Sequence, residues 1–205
     1  MFPALIEKLV RHEDLTTEEA AHAMREVMEG RAAPSALAGL LAALVMKGER
    51  PEEIAGLART MREHAVALTT PPGDVFDTCG TGGDRSGTFN VSSAAAVVVA
   101  ACGVRVAKHG NRSVSSRCGS ADVFEQLGVN VTAPPLVVEQ TLRDANIAFF
   151  FAPTFHPSMK HAAPIRREMG IRTTFNLLGP LTNPPRATRQ IVGVARPGLT
   201  QVLAG

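Results

Sequence analysis

Tryptophan and tyrosine are absent from this 205-residue sequence, and phenylalanine alone supplies an aromatic content of 4%. A surface that stacks nucleobases needs aromatic rings interleaved with Lys and Arg, and here the basic residues are scattered without such partners. Charge of one sign is also lacking. The 21 Lys and Arg stand against 19 Asp and Glu, so the net charge of +2 gives no general attraction to polyanions. The apolar run AAAVVVAAC (94–102) is too short to cross a bilayer. Neither nucleic acid nor membrane is expected as a partner. Cysteine is scarce: Cys79, Cys102 and Cys118 are an odd number without metal or redox spacing, as in reduced thiols of a cytoplasmic chain. Cys79 reads as small buried filler. The opening MFPALIEKLV carries Glu7 and no basic leader, so no signal peptide is expected.

What is present suits a soluble protein with a real core, since 45% of residues are hydrophobic and 20% charged. The first part is helical. Leu5, Ile6, Leu9 and Val10 recur at helical spacing, and Thr16 stands three residues before Glu19 in a capping-box pattern. Leu37, Leu40, Leu41 and Leu44 form a stripe, and Ile54, Leu57, Met61 and Leu68 form another after Pro51. These predict a small bundle over 1–70 that needs a further surface to bury against.

TTPPG (69–73) then breaks the pattern. DVFDT, VRVAKHG, VNV, IAFFFAP and QIVGVA read as strands, with helices at NVSSAAAVVVAAC, SADVFEQLG and PPLVVEQTLRDA between them. NVSSAAAVVVAAC is apolar on most sides, as for a helix buried against a sheet. Strands alternating with helices predict a mostly parallel sheet, so the fold class is α/β. The α/β part is expected over 71–156 and 185–205, and a segment over about 157–184 returns to the helical layer. The closing PGLTQVLAG reads as a helix cut off at its start. The chain is therefore expected to be C-terminally truncated, its sheet incomplete and apolar faces of FFFAP and QIVGVA exposed.

Two polar segments carry the chemistry. CGTGGDRSGTFN follows the strand VFDT and precedes a helix, which is where a parallel sheet places its ligands. Its glycines permit close approach, and free N–H groups at a helix start suit phosphate or diphosphate. It lacks the Gly-Lys-Ser/Thr of a nucleotide P-loop, and Asp84 would repel a dinucleotide pyrophosphate. Asp84 suits a ligand that brings cations or hydroxyls, and Ser92 and Ser93 offer oxygens to Mg²⁺ or phosphate. KHGNRSVSSRCGSAD follows VRVA in the same way, with Lys108, Asn111, Arg112 and a row of serines. The pair predicts one ligand carrying more than one phosphate.

The pieces DTCGTGGD, TFNVSS, KHGNRSVSS, GSADVFEQLG and RTTFNLLGPLTNP resemble the anthranilate phosphoribosyltransferases of tryptophan biosynthesis. The resemblance implies a nucleoside phosphorylase/phosphoribosyltransferase-like fold: a small helical domain beside a larger α/β domain, with a homodimer formed through the helical part. It implies transfer of the phosphoribosyl group from phosphoribosyl diphosphate to the amine of anthranilate, with Mg²⁺. Gly80, Gly83 and Asp84 would hold the diphosphate and ribose, continued by Thr88, Asn90, Val91, Ser92 and Ser93, with Ser92 as a Mg²⁺ ligand. Lys108, His109, Gly110, Asn111 and Arg112, then Ser113, Val114, Ser115 and Ser116, and finally Ser120, would face the same substrate. Lys108 would stabilise the leaving group. Gly80, Asn111 and Arg166 would contact anthranilate, and His109 would shape the pocket rather than act as a base. The family's acidic Mg²⁺-binding pair falls beyond residue 205, so the chain alone is expected to be inactive or nearly so. The alternatives are a nucleoside phosphorylase of the same fold and a phosphate-binding module without chemistry.

Overall fold

The structure, a computed structural model, describes residues 1–70, 72–82, 87–113 and 118–204. The chain divides into two compact units. One comprises Met1–Ala65, Pro157–Thr182 and Arg196–Gly205; the other comprises Val66–His156 and Asn183–Ala195.

The first unit begins with four helices: α1 (Phe2–Val10), α2 (Thr17–Met28), α3 (Pro34–Lys47) and α4 (Pro51–Glu63). The capping box at α2 is formed on both sides. Glu19 N–H donates to Thr16 Oγ1 at 3.2 Å, and Thr16 N–H donates to Glu19 Oε2 at 2.8 Å. α1, α3 and α4 each carry proline in the first turn, where the missing N–H costs nothing. The α3 leucine stripe and Ile54, Leu57 and Met61 of α4 are buried. Fully buried Glu53 accepts from Leu15 N–H at 2.8 Å, Arg50 N–H at 2.9 Å and Lys47 Nζ at 3.1 Å, so its charge is well satisfied.

The second unit holds β1 (Phe76–Gly80), α5 (Val91–Ala101), β2 (Val106–Gly110), α6 (Ser120–Gln126), α7 (Pro135–Ala145), β3 (Ile147–Phe151), α8 (Ala152–Phe155) and β4 (Arg189–Gly193). All pairings are parallel, in the order β3-β2-β1-β4. Around β2 and β3 the sheet buries both faces. Phe150 joins Val75, Ala107, Val138, Leu142 and Phe155 on one side. Phe149 and Phe151 join Ala121, Phe124 and Val131 on the other.

The remaining segments return to the helical unit: a 3₁₀ turn (Pro157–His161), α9 (Ala163–Met169), α10 (Phe175–Leu181) and α11 (Leu199–Ala204). α11 packs on α4. The last residues therefore leave the α/β part, to which the sequence reading assigns all of 185–205.

Other expectations also change. Val129–Val131 is not a strand, because the Asn130 side chain accepts Thr132 N–H at 3.2 Å and turns the chain. Helix α5 buries only Ser93 and Ala96, and Val98 is 62% exposed, so its even apolarity does not reflect burial on all sides. FFFAP exposes none of its phenylalanines, all three of which lie in the core. On the edge strand β4, by contrast, Ile191 is 65% exposed.

Leu68, read as part of the α4 stripe, instead packs with Val66 on the α/β core. This connector is held by Glu139 of α7, which accepts from Thr69 N–H at 3.0 Å, Thr69 Oγ1 at 2.6 Å and Thr70 N–H at 3.3 Å. Burial pushes the Glu139 carboxyl up, but these bonds outweigh it and hold the group below its ordinary value of 4.5. A depressed carboxylate stabilises the fold above its unfolded pKa, and that contribution is lost as pH falls through the folded pKa. Glu139→Gln is therefore expected to lower stability by about 1–3 kcal/mol at neutral pH. The gap from the parent should close as pH drops below the ordinary glutamate range. Denaturant titrations at several pH values check this; a gap independent of pH contradicts it.

Candidate active site

The strand register fixes where the polar loops begin. Phe76 pairs with Val106 and with Arg189, and Val106 with Ile147, so the four strands run in step to one edge. Gly80 and Gly110 close adjacent strands there, with strand spacing of about 4.8 Å. From β1 the chain steps outward through β2 to β3, then returns to place β4 on the other side of β1. The loop after β1 thus leaves at the point where the strand order reverses, the usual ligand crevice of an open parallel sheet.

Beneath that edge lies a buried charged layer. Asp77, fully buried in β1, accepts from His109 N–H of β2 at 3.2 Å and from Gln190 Nε2 of β4 at 3.0 Å. Lys108 is 2% exposed, and its Nζ donates to the His109 carbonyl at 2.9 Å. Burial depresses the Lys108 pKa, while the charge of Asp77 opposes that shift. Burial pushes the Cys79 thiol up, and Asp77 pushes it further, so it stays a neutral thiol beside Gln190. That agrees with the filler reading. His109 is buried, with its ring centroid 5.4 Å from that of His156. Asn183 reaches the same layer from far along the sequence and donates to the Ala107 carbonyl at 2.8 Å.

Gly110 must lack a side chain. A Cβ there would land on Ser120 Oγ and lie 2.8 Å from Phe149 Cε2. Ser120 thereby stays against the loop, its Oγ donating to the Asn111 carbonyl at 3.3 Å. Arg112 is committed to α6: its Nη1 donates to Asp122 Oδ1 at 2.9 Å and to Glu125 Oε2 at 2.8 Å.

In the first loop, Thr88 and Val91 are exposed and Asn90 half-buried at the start of α5. Thr81 closes the loop's root, its N–H donating to the Gly193 carbonyl at 2.9 Å and its Oγ1 accepting Ala195 N–H at 3.1 Å. Ser92 is half-buried in the first turn of α5, and the buried Ser93 Oγ beside it has no partner among the described residues. Hydroxyl oxygens at a helix start fit a hard cation whose other ligands come from water and phosphate. Among the described residues no group of three His, Cys, Asp or Glu could hold a metal by itself.

Gly80, Thr88, Asn90, Val91, Ser92, Ser93, Lys108, His109, Gly110, Asn111, Arg112, Ser113 and Ser120 all belong to the α/β unit. Gly83, Asp84, Val114, Ser115 and Ser116 lie outside the described residues. Arg166 belongs to the helical unit, on α9, where its guanidinium carbon is 4.9 Å from the Phe175 ring centroid and burial lowers its pKa. Sequence reasoning assigned no role to Asp77, Asp122, Asn183 or Gln190. Asp77 carried a signal, a charge inside an apolar strand; Asn183 carried none.

Residues 3–65 match the helical bundle domain of the glycosyl transferase family, and residues 72–205 match that family's a/b domain. An anthranilate phosphoribosyltransferase of Moorella thermoacetica is 56% identical over 204 residues, covering 100% of this chain and 60% of that protein. One from Petrotoga mobilis is 52% identical over 204 residues, covering 100% and 59%. The crystal structure of the enzyme from Thermus thermophilus superposes with a TM-score of 0.90 at 49% identity, covering 98% of this chain and 61% of that one. The Saccharomyces cerevisiae enzyme in complex with PRPP and Mg gives a TM-score of 0.85 at 28% identity, covering 100% and 63%. The chain spans about 60% of the length of the curated relatives it matches. Among the described residues no helix is long and apolar enough to cross a membrane.

Asp77→Asn keeps the shape but turns one acceptor of the buried layer into a donor. It is expected to cost about 2–3 kcal/mol of stability, read as a lower denaturant midpoint. A midpoint equal to the parent's contradicts the role given to this carboxylate.

Proposed function

We propose that this chain, which belongs to the glycosyl transferase family and carries both its helical bundle domain and its a/b domain, is the substrate-gripping part of an anthranilate phosphoribosyltransferase. In a protein of its relatives' length it would transfer the phosphoribosyl group of phosphoribosyl diphosphate to the amine of anthranilate. The observation that carries this reading is the pair of polar loops rising from the neighbouring ends of β1 and β2 at the reversal of strand order. A ligand with a phosphate at one end and a diphosphate at the other matches two donor-rich loops better than a ligand with one anionic group.

The chemistry asks for little beyond charge and alignment. The diphosphate leaves the anomeric carbon as the amine arrives, so positive charge gathers on the ribose and negative charge on the leaving oxygens. Lys108 and the N–H groups at the start of α5 would face that negative charge. Lys108's burial makes its field strong, and an anion beside it would favour its charged form. The hydroxyl of Ser92 would be one ligand of Mg²⁺, which when bound neutralises diphosphate charge. The anthranilate amine is neutral and nucleophilic at neutral pH, so alignment in place of a strong base lowers the barrier, by up to roughly 7–11 kcal/mol. Gly80 and Asn111 would border the acceptor.

The helical unit would form a homodimer. Exposed Val10 on α1 and exposed Val45 and Met46 on α3 support that reading. A biosynthetic enzyme of this kind fits a cytoplasmic location.

Anthranilate fluorescence tests the function. With Mg²⁺ and phosphoribosyl diphosphate, a chain extended to its relatives' length should quench it, while the 205-residue chain should do so barely or not at all. Turnover of thymidine with phosphate, and none of anthranilate, would replace this reading with a nucleoside phosphorylase. Equal rates from the two chain lengths would remove the need for the further length.

A further inference from the structure

We infer, on the basis of the functional reading above, that Asp122 is a positioning residue that clasps the neck of the second polar loop. Its carboxylate, in the first turn of α6, reaches both sides of the loop at once. Oδ2 accepts Gly119 N–H at 2.7 Å and Ser113 N–H at 3.4 Å, and Oδ1 accepts Arg112 Nη1 at 2.9 Å. The neck is tight: a Cβ on Gly119 would lie 2.6 Å from the Arg112 carbonyl carbon and 2.7 Å from the Asn111 carbonyl oxygen. Ala121 N–H also donates to the Asn111 carbonyl, at 3.2 Å, and Arg112 N–H donates to Asn111 Oδ1 at 2.8 Å. The Gly119 bond first, and Arg112 after it, keep Asp122 below the ordinary aspartate range, so it is charged at neutral pH.

The reason for such a clasp is the substrate's charge. Donors aimed at a multiply charged anion are most effective when they are already in place, because ordering them during binding costs free energy. Arg112 adds to the arrangement from outside. Its guanidinium is shared between Asp122 and Glu125 and lies 5.8 Å from the Phe151 ring centroid, which fixes the loop to both α6 and β3. Arg112 therefore braces the loop through carboxylates, whereas the family resemblance turns it toward the substrate. Asp122 is the member that touches the backbone on both sides.

Asp122→Asn preserves volume. If its remaining oxygen accepts Gly119 N–H, its amide nitrogen faces Arg112, donor against donor. Amide hydrogen exchange at Gly119 and Ser113 should rise about tenfold in this variant. Glu125→Gln leaves both backbone bonds in place and should change that exchange less than about twofold. In the extended chain, Asp122→Asn should raise the KM for phosphoribosyl diphosphate about tenfold while the KM for anthranilate and the Tm stay near the parent values. Unchanged exchange at Gly119 overturns the inference. So does an equal rise in both KM values, or a loss of activity that follows Tm alone. If the extended parent chain shows no anthranilate turnover, the functional reading fails instead, and the exchange comparison still decides the clasp.

Discussion

One carboxylate, Asp77, joins three strands of the α/β unit through contacts that ordinary sheet pairing does not supply. It lies fully buried in β1 and accepts from the backbone of β2 and from a side chain of β4. A buried carboxylate is tolerated only where its oxygens are used, and the charge of Asp77 in turn opposes the depression that burial imposes on Lys108 of the next strand. The arrangement fixes β1 between its neighbours and holds the lysine at the edge where both polar loops begin.

The glycines have a more local task than general flexibility. Gly110 lets Ser120 and Phe149 come against the end of β2, and Gly119 lets the Asn111–Ser113 backbone close on the start of α6. The described ends of the second loop, Asn111–Ser113 and Gly119, therefore lie against each other at the start of α6. The same end of the sheet carries the buried Lys108 and, at the start of α5, the Ser92 and Ser93 hydroxyls.

Much of this was legible in the sequence because local signals carried it. The capping box at Thr16, the α3 leucine stripe and the alternation of strand and helix each state their structure within a few residues. The places where the two loops leave β1 and β2 were legible for the same reason, since each follows a short strand-like run and precedes a helix. What stayed hidden depends on distant partners. Nothing near Asn183 announces the Ala107 carbonyl, nothing near Leu68 announces the α/β core, and nothing near Leu199 announces α4. Composition misled at α5, where valines and alanines all round suggested burial that the described residues do not provide. At Val129–Val131 the β-branched residues were overruled by the Asn130 side chain, which turns the backbone at short range.

The most direct examination of the account is a crystal structure of the protein soaked with phosphoribosyl diphosphate and Mg²⁺. The ligand is expected across the ends of β1 and β2, its diphosphate toward the start of α5 and Lys108, with the metal beside the Ser92 hydroxyl. Density for the compound at any other surface, with Gly80 and Gly110 and their loops undisturbed, would contradict it.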